Sequence, residues 1–137
     1  MVPESPEAVT VSVVKRTERF SMAQDDCLFC KIVKGEIPAE IVRESERTVA
    51  FRDINPQAPT HVLVIPREHY PNAAEAAAAD AGLLDEIVRE AHEVAAEEGI
   101  VDFGYRLVFN TGSGAGQTVF HLHGHVLGGR GMEWPPG

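Results

Sequence analysis

No apolar run in the 137 residues reaches the roughly 18 to 20 needed to span a bilayer, so no transmembrane helix is expected. Basic residues are scarce too: 12 Lys and Arg stand against 21 Asp and Glu, a net charge of −9. Phosphate neutralisation by Lys and Arg dominates affinity for nucleic acid, so a nucleic-acid partner is excluded, while a single phosphate held by dipoles is not. Residues 72–98 hold eight acidic residues against one arginine and so carry seven of the nine net negative charges. The first 21 residues have no long apolar segment and no small-residue cleavage site, and Glu4 and Glu7 precede a short Val-rich stretch. That is not a secretory pattern, and a cytoplasmic protein is expected. With 44% hydrophobic and 24% charged residues and no internal repeat, the chain reads as globular and is long enough for one domain. Residues 1–25 are expected to form a poorly tethered extension, with residues 9–14 able instead to pair as an edge strand, and residues 26–137 to form the domain.

Within the domain, Asp25 or Asp26 can cap a short helical turn over residues 27–34, which Gly35 ends. Residues 41–44 and 48–53 read as a hairpin around Ser45, Glu46 and Arg47. After a break with two prolines at residues 55–59, residues 61–65 form a nearly continuous apolar strand stopped by Pro66. Leu83, Leu84, Ile87, Val88, Ala91, Val94 and Ala95 recur at helical spacing, which predicts one principal helix over residues 72–98 with a solvated acidic outer face. Two further strands are predicted at residues 105–110 and 119–127, joined by a glycine-rich stretch. Hairpin-length joins around one long helix imply an α+β fold with an antiparallel sheet.

The chemistry concentrates near the C-terminus. His121, His123 and His125 alternate, so a strand would project all three imidazoles from one face, neighbours about 6.6 Å apart, with Leu122 and Val126 facing the core. Three imidazoles with polar nitrogens and a charge state near neutrality are costly to explain as packing; beside a merely solvated histidine strand, the sharper readings are a metal site or nucleophilic and acid–base catalysis. Gly112, Gly114 and Gly116 precede them in a loop whose backbone N–H groups can turn towards an anion, although it lacks the Lys-Ser/Thr ending of a Walker A loop. Cys27 and Cys30 form a C-x-x-C pair, which suggests zinc or thiol redox chemistry; no thioredoxin-like context follows.

The run His121-Leu-His-Gly-His-Val-Leu127 resembles the signature of the histidine triad family, in which histidines alternate with apolar residues. Cys27-Leu-Phe-Cys-Lys-Ile-Val-Lys-Gly-Glu-Ile-Pro38, Phe51-Arg-Asp-Ile54, Pro59-Thr-His-Val-Leu-Val-Ile-Pro66, Gly116-Gln-Thr-Val-Phe-His121 and Gly128-Gly-Arg130 are also similar to it. The ending Trp134-Pro-Pro-Gly137 is most similar to the nucleoside phosphoramidase branch of histidine triad nucleotide-binding proteins. Two positions depart from the pattern: Gly124 stands where an apolar residue is usual, and Thr118 where serine is common.

The resemblance implies a five-stranded antiparallel sheet with one long and one short helix, and a homodimer forming a continuous ten-stranded sheet. It implies cleavage of the P–N bond of purine nucleoside 5′-phosphoramidates, with His123 as nucleophile in a nucleotidyl-histidine intermediate. His125 and the loop N–H groups would stabilise phosphate oxygens, Thr118 would bond the phosphate or leaving group, and His61 would orient His123. Phe29, Ile32, Phe51 and Ile54 would clasp the base, Asp53 would accept from the ribose hydroxyls, and Asn110, Gly116 and Gln117 would help position ribose and phosphate. Cys27, Cys30, His69 and His121 would complete a structural Cys2His2 zinc site, and no organic cofactor is implied. The C-terminal tail would reach the partner's site and influence the leaving group. Hydrolysis of dinucleoside polyphosphates or other nucleotide conjugates is the sibling alternative; a nucleotide-binding, zinc-stabilised interaction module is the alternative of another class.

Overall fold

The computed structural model describes residues 26–137. Both expectations for residues 1–25, the loose tail and the edge strand, lie outside them. Among the described residues the order is α1 (Leu28–Val33), β1 (Ile41–Glu44), β2 (Thr48–Arg52), β3 (Thr60–Pro66), α2 (Ala73–Ala79), α3 (Leu83–Glu97), β4 (Tyr105–Val108), a 3-10 turn (Ser113–Ala115) and β5 (Gly124–Gly128). The strands form one sheet in the order β1-β2-β3-β5-β4, every pair antiparallel. The α+β class and the five-stranded antiparallel sheet expected from sequence are therefore present.

Strand alternation sends neighbouring side chains to opposite faces. On one face, Ala50, Val62, Val64 and Val126 meet Leu83, Ile87, Ala91, Val94 and Ala95 of α3, and Leu122 joins them. On the other, Val49, Phe51, Leu63 and Ile65 are covered by Phe29, Cys30 and Ile32 of α1. The register pairs Leu63 with His125 and His61 with Leu127, so His61 and His125 share the α1 face. The α1 layer is short, and the sheet's polar side chains reach a cleft where it ends.

Several elements differ from the sequence reading. The predicted 72–98 helix is two helices, making three α-helices among the described residues rather than one long and one short. Asn72 does start it, its Oδ1 accepting from the Glu75 N–H at 2.9 Å. Asp80 then takes an extended conformation (φ −147°, ψ 95°), its carboxylate paired with Arg47, and Gly82, a poor helix former, sits before α3. The acidic outer face of α3 is also only partly solvated: Arg43 of β1 bonds Glu90 at 2.6 Å and Glu97 at 2.7 Å, and Arg52 of β2 holds Glu98 at 2.9 Å.

The last strand spans Gly124–Gly128 rather than residues 119–127, because the Leu122 N–H bonds the Tyr70 carbonyl at 2.6 Å instead of a sheet neighbour. β4 likewise ends at Val108. The cap of α1 is Cys27, not an aspartate; its Sγ accepts from the Cys30 N–H at 3.4 Å.

The unusual Gly124 has a packing reason. A Cβ there would lie 2.9 Å from Phe109 Cε1 and 3.1 Å from Leu107 Cδ1. Phe109 fills the volume that an apolar side chain at position 124 would take.

Candidate active site and metal centre

A cleft of about 360 Å³ opens at the end of α1, within the size range of small-molecule sites. Phe29, Ile32, Phe51 and Ile54 give it apolar walls, Asp53 a carboxylate, and Thr118, His123 and His125 a polar end. Ile54 is fully exposed at the mouth. Leu28, Ile37, Pro38, Ala39, Leu63 and Val119 also line the cleft; sequence reasoning assigned them no role. Ile37 and Pro38 lay inside a motif that carried the resemblance, but nothing in their residue types marks them as cleft residues rather than core.

Phe29 packs edge-on to His123, with ring centroids 5.0 Å apart and planes at 88°, and edge-on to Phe51 at 5.5 Å. The Nδ1–H of His123 donates to the carbonyl oxygen of His121 at 2.7 Å. A neutral His123 therefore carries its lone pair on Nε2. Burial pulls its pKa below the ordinary histidine value, only partly opposed by that carbonyl. A second chain of bonds fixes the other two imidazoles. The Gln57 N–H donates to His61 Nδ1 at 3.0 Å, so His61 carries its proton on Nε2 and donates to His125 Nδ1, also at 3.0 Å. His125 is left with an Nε2–H donor. Burial, and then the neighbouring His123 and His61, push the His125 pKa down to about 4; burial lowers His61 too, against the pull of Asp53. At neutral pH the cleft thus combines an unprotonated ring nitrogen on His123 with an N–H donor on His125.

Asp53, His61 and His125 lie close enough to share an ion. The Gln57 N–H, however, occupies His61 Nδ1 as a donor and keeps the proton on Nε2, the nitrogen an ion would need. His61 and His125 are therefore a hydrogen-bonded pair, with the Asp53 carboxylate 3.4 Å from His61 Nε2.

The glycine-rich stretch closes on itself. Gly112 (φ +91°) and Gly116 (φ +96°) take conformations that side-chain-bearing residues rarely adopt. The Gly116 and Gln117 N–H groups bond the Ser113 and Gly112 carbonyls at 3.0 and 3.1 Å. Gln117 is buried; its Oε1 accepts from the Gly112 N–H, and its Nε2 donates to the Pro71 and Val119 carbonyls. Gly116 and Gln117 therefore shape the loop that presents Thr118 instead of offering free donors to a phosphate. Asn110 sits beside Gly116, its Nδ2 4.0 Å from where a Cβ there would fall.

Of the three alternating histidines, His121 alone faces away from the cleft. Its Nε2–H donates to the Pro66 carbonyl at 2.9 Å, which leaves Nδ1 to face Cys27 Sγ at 3.3 Å and Cys30 Sγ at 3.5 Å. His69 Nδ1 lies 3.3 Å from Cys30 Sγ. Ligand atoms of all four residues lie within 4.8 Å of one another. Tetrahedral zinc with ordinary Zn–S and Zn–N lengths requires S···N separations of about 3.5 Å, so the donor set fits that ion. Burial would raise the Cys27 thiol, but bonds from His121 and His69 outweigh it and bring the pKa down to about 5, whereas burial and the neighbouring Cys27 push Cys30 up to about 12.

A histidine-lined cleft on one face of a five-stranded antiparallel sheet, backed by a Cys2His2 cluster, defines an α+β protein of the histidine triad type. The chain belongs to the HIT domain family, whose model matches residues 34–132. A HIT family hydrolase from Legionella pneumophila of known structure is 54% identical, with a TM-score of 0.79, the match covering 82% of this chain and all of that one. A HIT-like protein from Synechocystis is 52% identical over 113 residues, covering 82% of this chain and 98% of the relative. A 14 kDa zinc-binding protein from Zea mays is 48% identical over 112 residues, covering 80% and 87%.

Proposed function

We propose that the protein is a nucleotide-binding hydrolase that cleaves the P–N bond of purine nucleoside 5′-phosphoramidates. The observation that carries this reading is the Nδ1–H bond from His123 to the His121 carbonyl, which frees Nε2 as a nucleophile at the polar end of an aromatic-walled cleft. His123 Nε2 attacks the α-phosphorus, the P–N bond breaks, and the leaving nitrogen takes up a proton from solvent and departs as the amine. Water then attacks the nucleotidyl-histidine, the P–Nε2 bond breaks, and nucleoside monophosphate is released. Dividing the displacement into two steps is the gain of covalent catalysis.

His125, through Nε2–H, donates to a phosphate oxygen, and His61 holds it in that tautomer. Thr118 lies where its hydroxyl can bond the phosphate or the leaving nitrogen. Phe29, Ile32, Phe51 and Ile54 clasp the base, and Asp53 takes the ribose hydroxyls. Asn110, Gly116 and Gln117 support this end through the loop.

Cys27, Cys30, His69 and His121 would hold a zinc ion. With four protein ligands it would serve structure, not water activation. The kinship to a zinc-binding protein in Zea mays supports this assignment. We further propose a homodimer that extends the sheet across β4. The outer edge of β4 has no partner among the described residues, and Phe103 beside it is 76% exposed. Trp134, 83% exposed on a tail that Arg106 anchors through the Glu133 carbonyl, would then act near the partner's cleft. Two free cysteines suit a reducing compartment, and we place the protein in the cytoplasm; among the described residues no helix is long and apolar enough to cross a membrane. The deciding assay is turnover of adenosine and guanosine phosphoramidates beside diadenosine polyphosphates and nucleotide sugars. Preference for the phosphoramidates supports the reading, and activity confined to polyphosphates overturns it.

A further inference from the structure

A second hollow, of about 450 Å³, lies against the cleft and shares Leu28, Thr118 and Val119 with it. Neither His123 nor His125 lines it, so it begins where the phosphate end of the cleft stops, on the far side of Thr118. Its other walls are Asp26, Pro71, Phe120 and two residues of the metal cluster, Cys27 and His69. Phe120 is 50% exposed and Leu28 44%, unusual for large apolar side chains that only pack a core. Asp26 is exposed and makes no ion pair among the described residues.

We propose that this hollow is a leaving-group subsite that takes an amine with an apolar body and a second, cationic end. The inference rests on the phosphoramidase reading. A substrate whose base lies between Phe29 and Phe51 and whose phosphorus lies at His123 must send its amine out of the polar end of the cleft, past Thr118. The space there is apolar on Phe120, Leu28, Pro71 and Val119, which favours an alkyl or aralkyl body along that wall, while Cys27 and His69 of the metal cluster form the opposite, polar part of the lining. Asp26 beyond them favours a positive over a negative terminus, and the excess of acid over base in the whole chain adds to that preference. The base cleft fixes the nucleoside, and the second hollow distinguishes one amine from another.

The test uses the full-length protein and adenosine 5′-phosphoramidates of four kinds: unsubstituted, and N-linked to phenethylamine, to a diaminoalkane and to an amino acid through its α-nitrogen with a free carboxylate. Wild type should prefer the phenethyl and diaminoalkyl substrates to the carboxylate-bearing one. Phe120→Ala should lower kcat/KM for the phenethyl substrate by about tenfold, the order expected for lost contacts in a hydrophobic pocket, and leave the unsubstituted substrate within about twofold. Asp26→Lys should reverse the order of the diaminoalkyl and carboxylate substrates. Unchanged ratios in both variants, with the unsubstituted phosphoramidate still hydrolysed, overturn the subsite alone. No hydrolysis of the unsubstituted substrate by wild type overturns the parent reading and the subsite with it.

Discussion

His121 and His123 are joined by a 2.7 Å hydrogen bond from the Nδ1–H of one to the backbone carbonyl of the other, while the His121 ring faces Cys27 and Cys30. One residue thus belongs to the metal cluster by its side chain and to the cleft by its backbone.

Because His123 supplies the free Nε2, His123→Ala should reduce phosphoramidate turnover by at least about a thousandfold, the scale seen when a covalent nucleophile is lost. Binding of adenosine monophosphate, measured by calorimetry, should stay within about tenfold, since the base walls are untouched. Turnover near the wild-type rate would exclude the covalent route.

Metal analysis of the purified protein should find about one equivalent of zinc per chain. Cys27→Ser removes a ligand and the side-chain cap of α1 together. It should lower Tm by at least about 8 °C, since metal binding to the folded chain is folding free energy. A metal-free protein of equal Tm, prepared with zinc in excess, would remove the site.

Burial and its histidine neighbours hold His125 at about 4, below the 6.5 of an unfolded chain. Between those values the unfolded state binds more protons, so stability rises with pH across the window and is lost as pH falls through it. The loss amounts to at most about 3 kcal/mol for this residue, and His61 adds to it in the same direction. Denaturant unfolding at pH 7 and pH 4.5 should show a smaller difference in His125→Gln than in wild type. An equal difference would mean that His125 is not held neutral by the fold.

Gly124→Val should destabilise by about 1 to 3 kcal/mol, the usual cost of overpacking, because its Cβ would meet Phe109. Combining it with Phe109→Val vacates that space and should restore most of the loss. A double variant no more stable than Gly124→Val alone would show that Phe109 is not the obstacle.

Much of this was legible in the chain. Short β-branched, aromatic and apolar runs bounded by turn residues marked the sheet strands, the spacing of Leu83, Ile87, Ala91 and Val94 marked the buried face of α3, and the alternating histidines with the C-x-x-C pair marked the chemistry. These are signals of period and residue type, fixed by backbone geometry within a few neighbours. The break at Asp80 escaped the same reasoning because its partner, Arg47, comes from a distant turn. The end of the histidine strand escaped it because the bond that diverts Leu122 goes to Tyr70.

The sequence by itself determined which imidazoles this protein has and that His121, His123 and His125 come at alternate positions. Only the tertiary structure decided what each ring nitrogen does. The Pro66 carbonyl turns His121 Nδ1 towards the thiols, the His121 carbonyl frees His123 Nε2, and the Gln57 N–H sets His61 and through it His125. An isolated imidazole places its proton on either nitrogen at little cost, so the choice falls to whichever backbone groups the fold brings within hydrogen-bond reach.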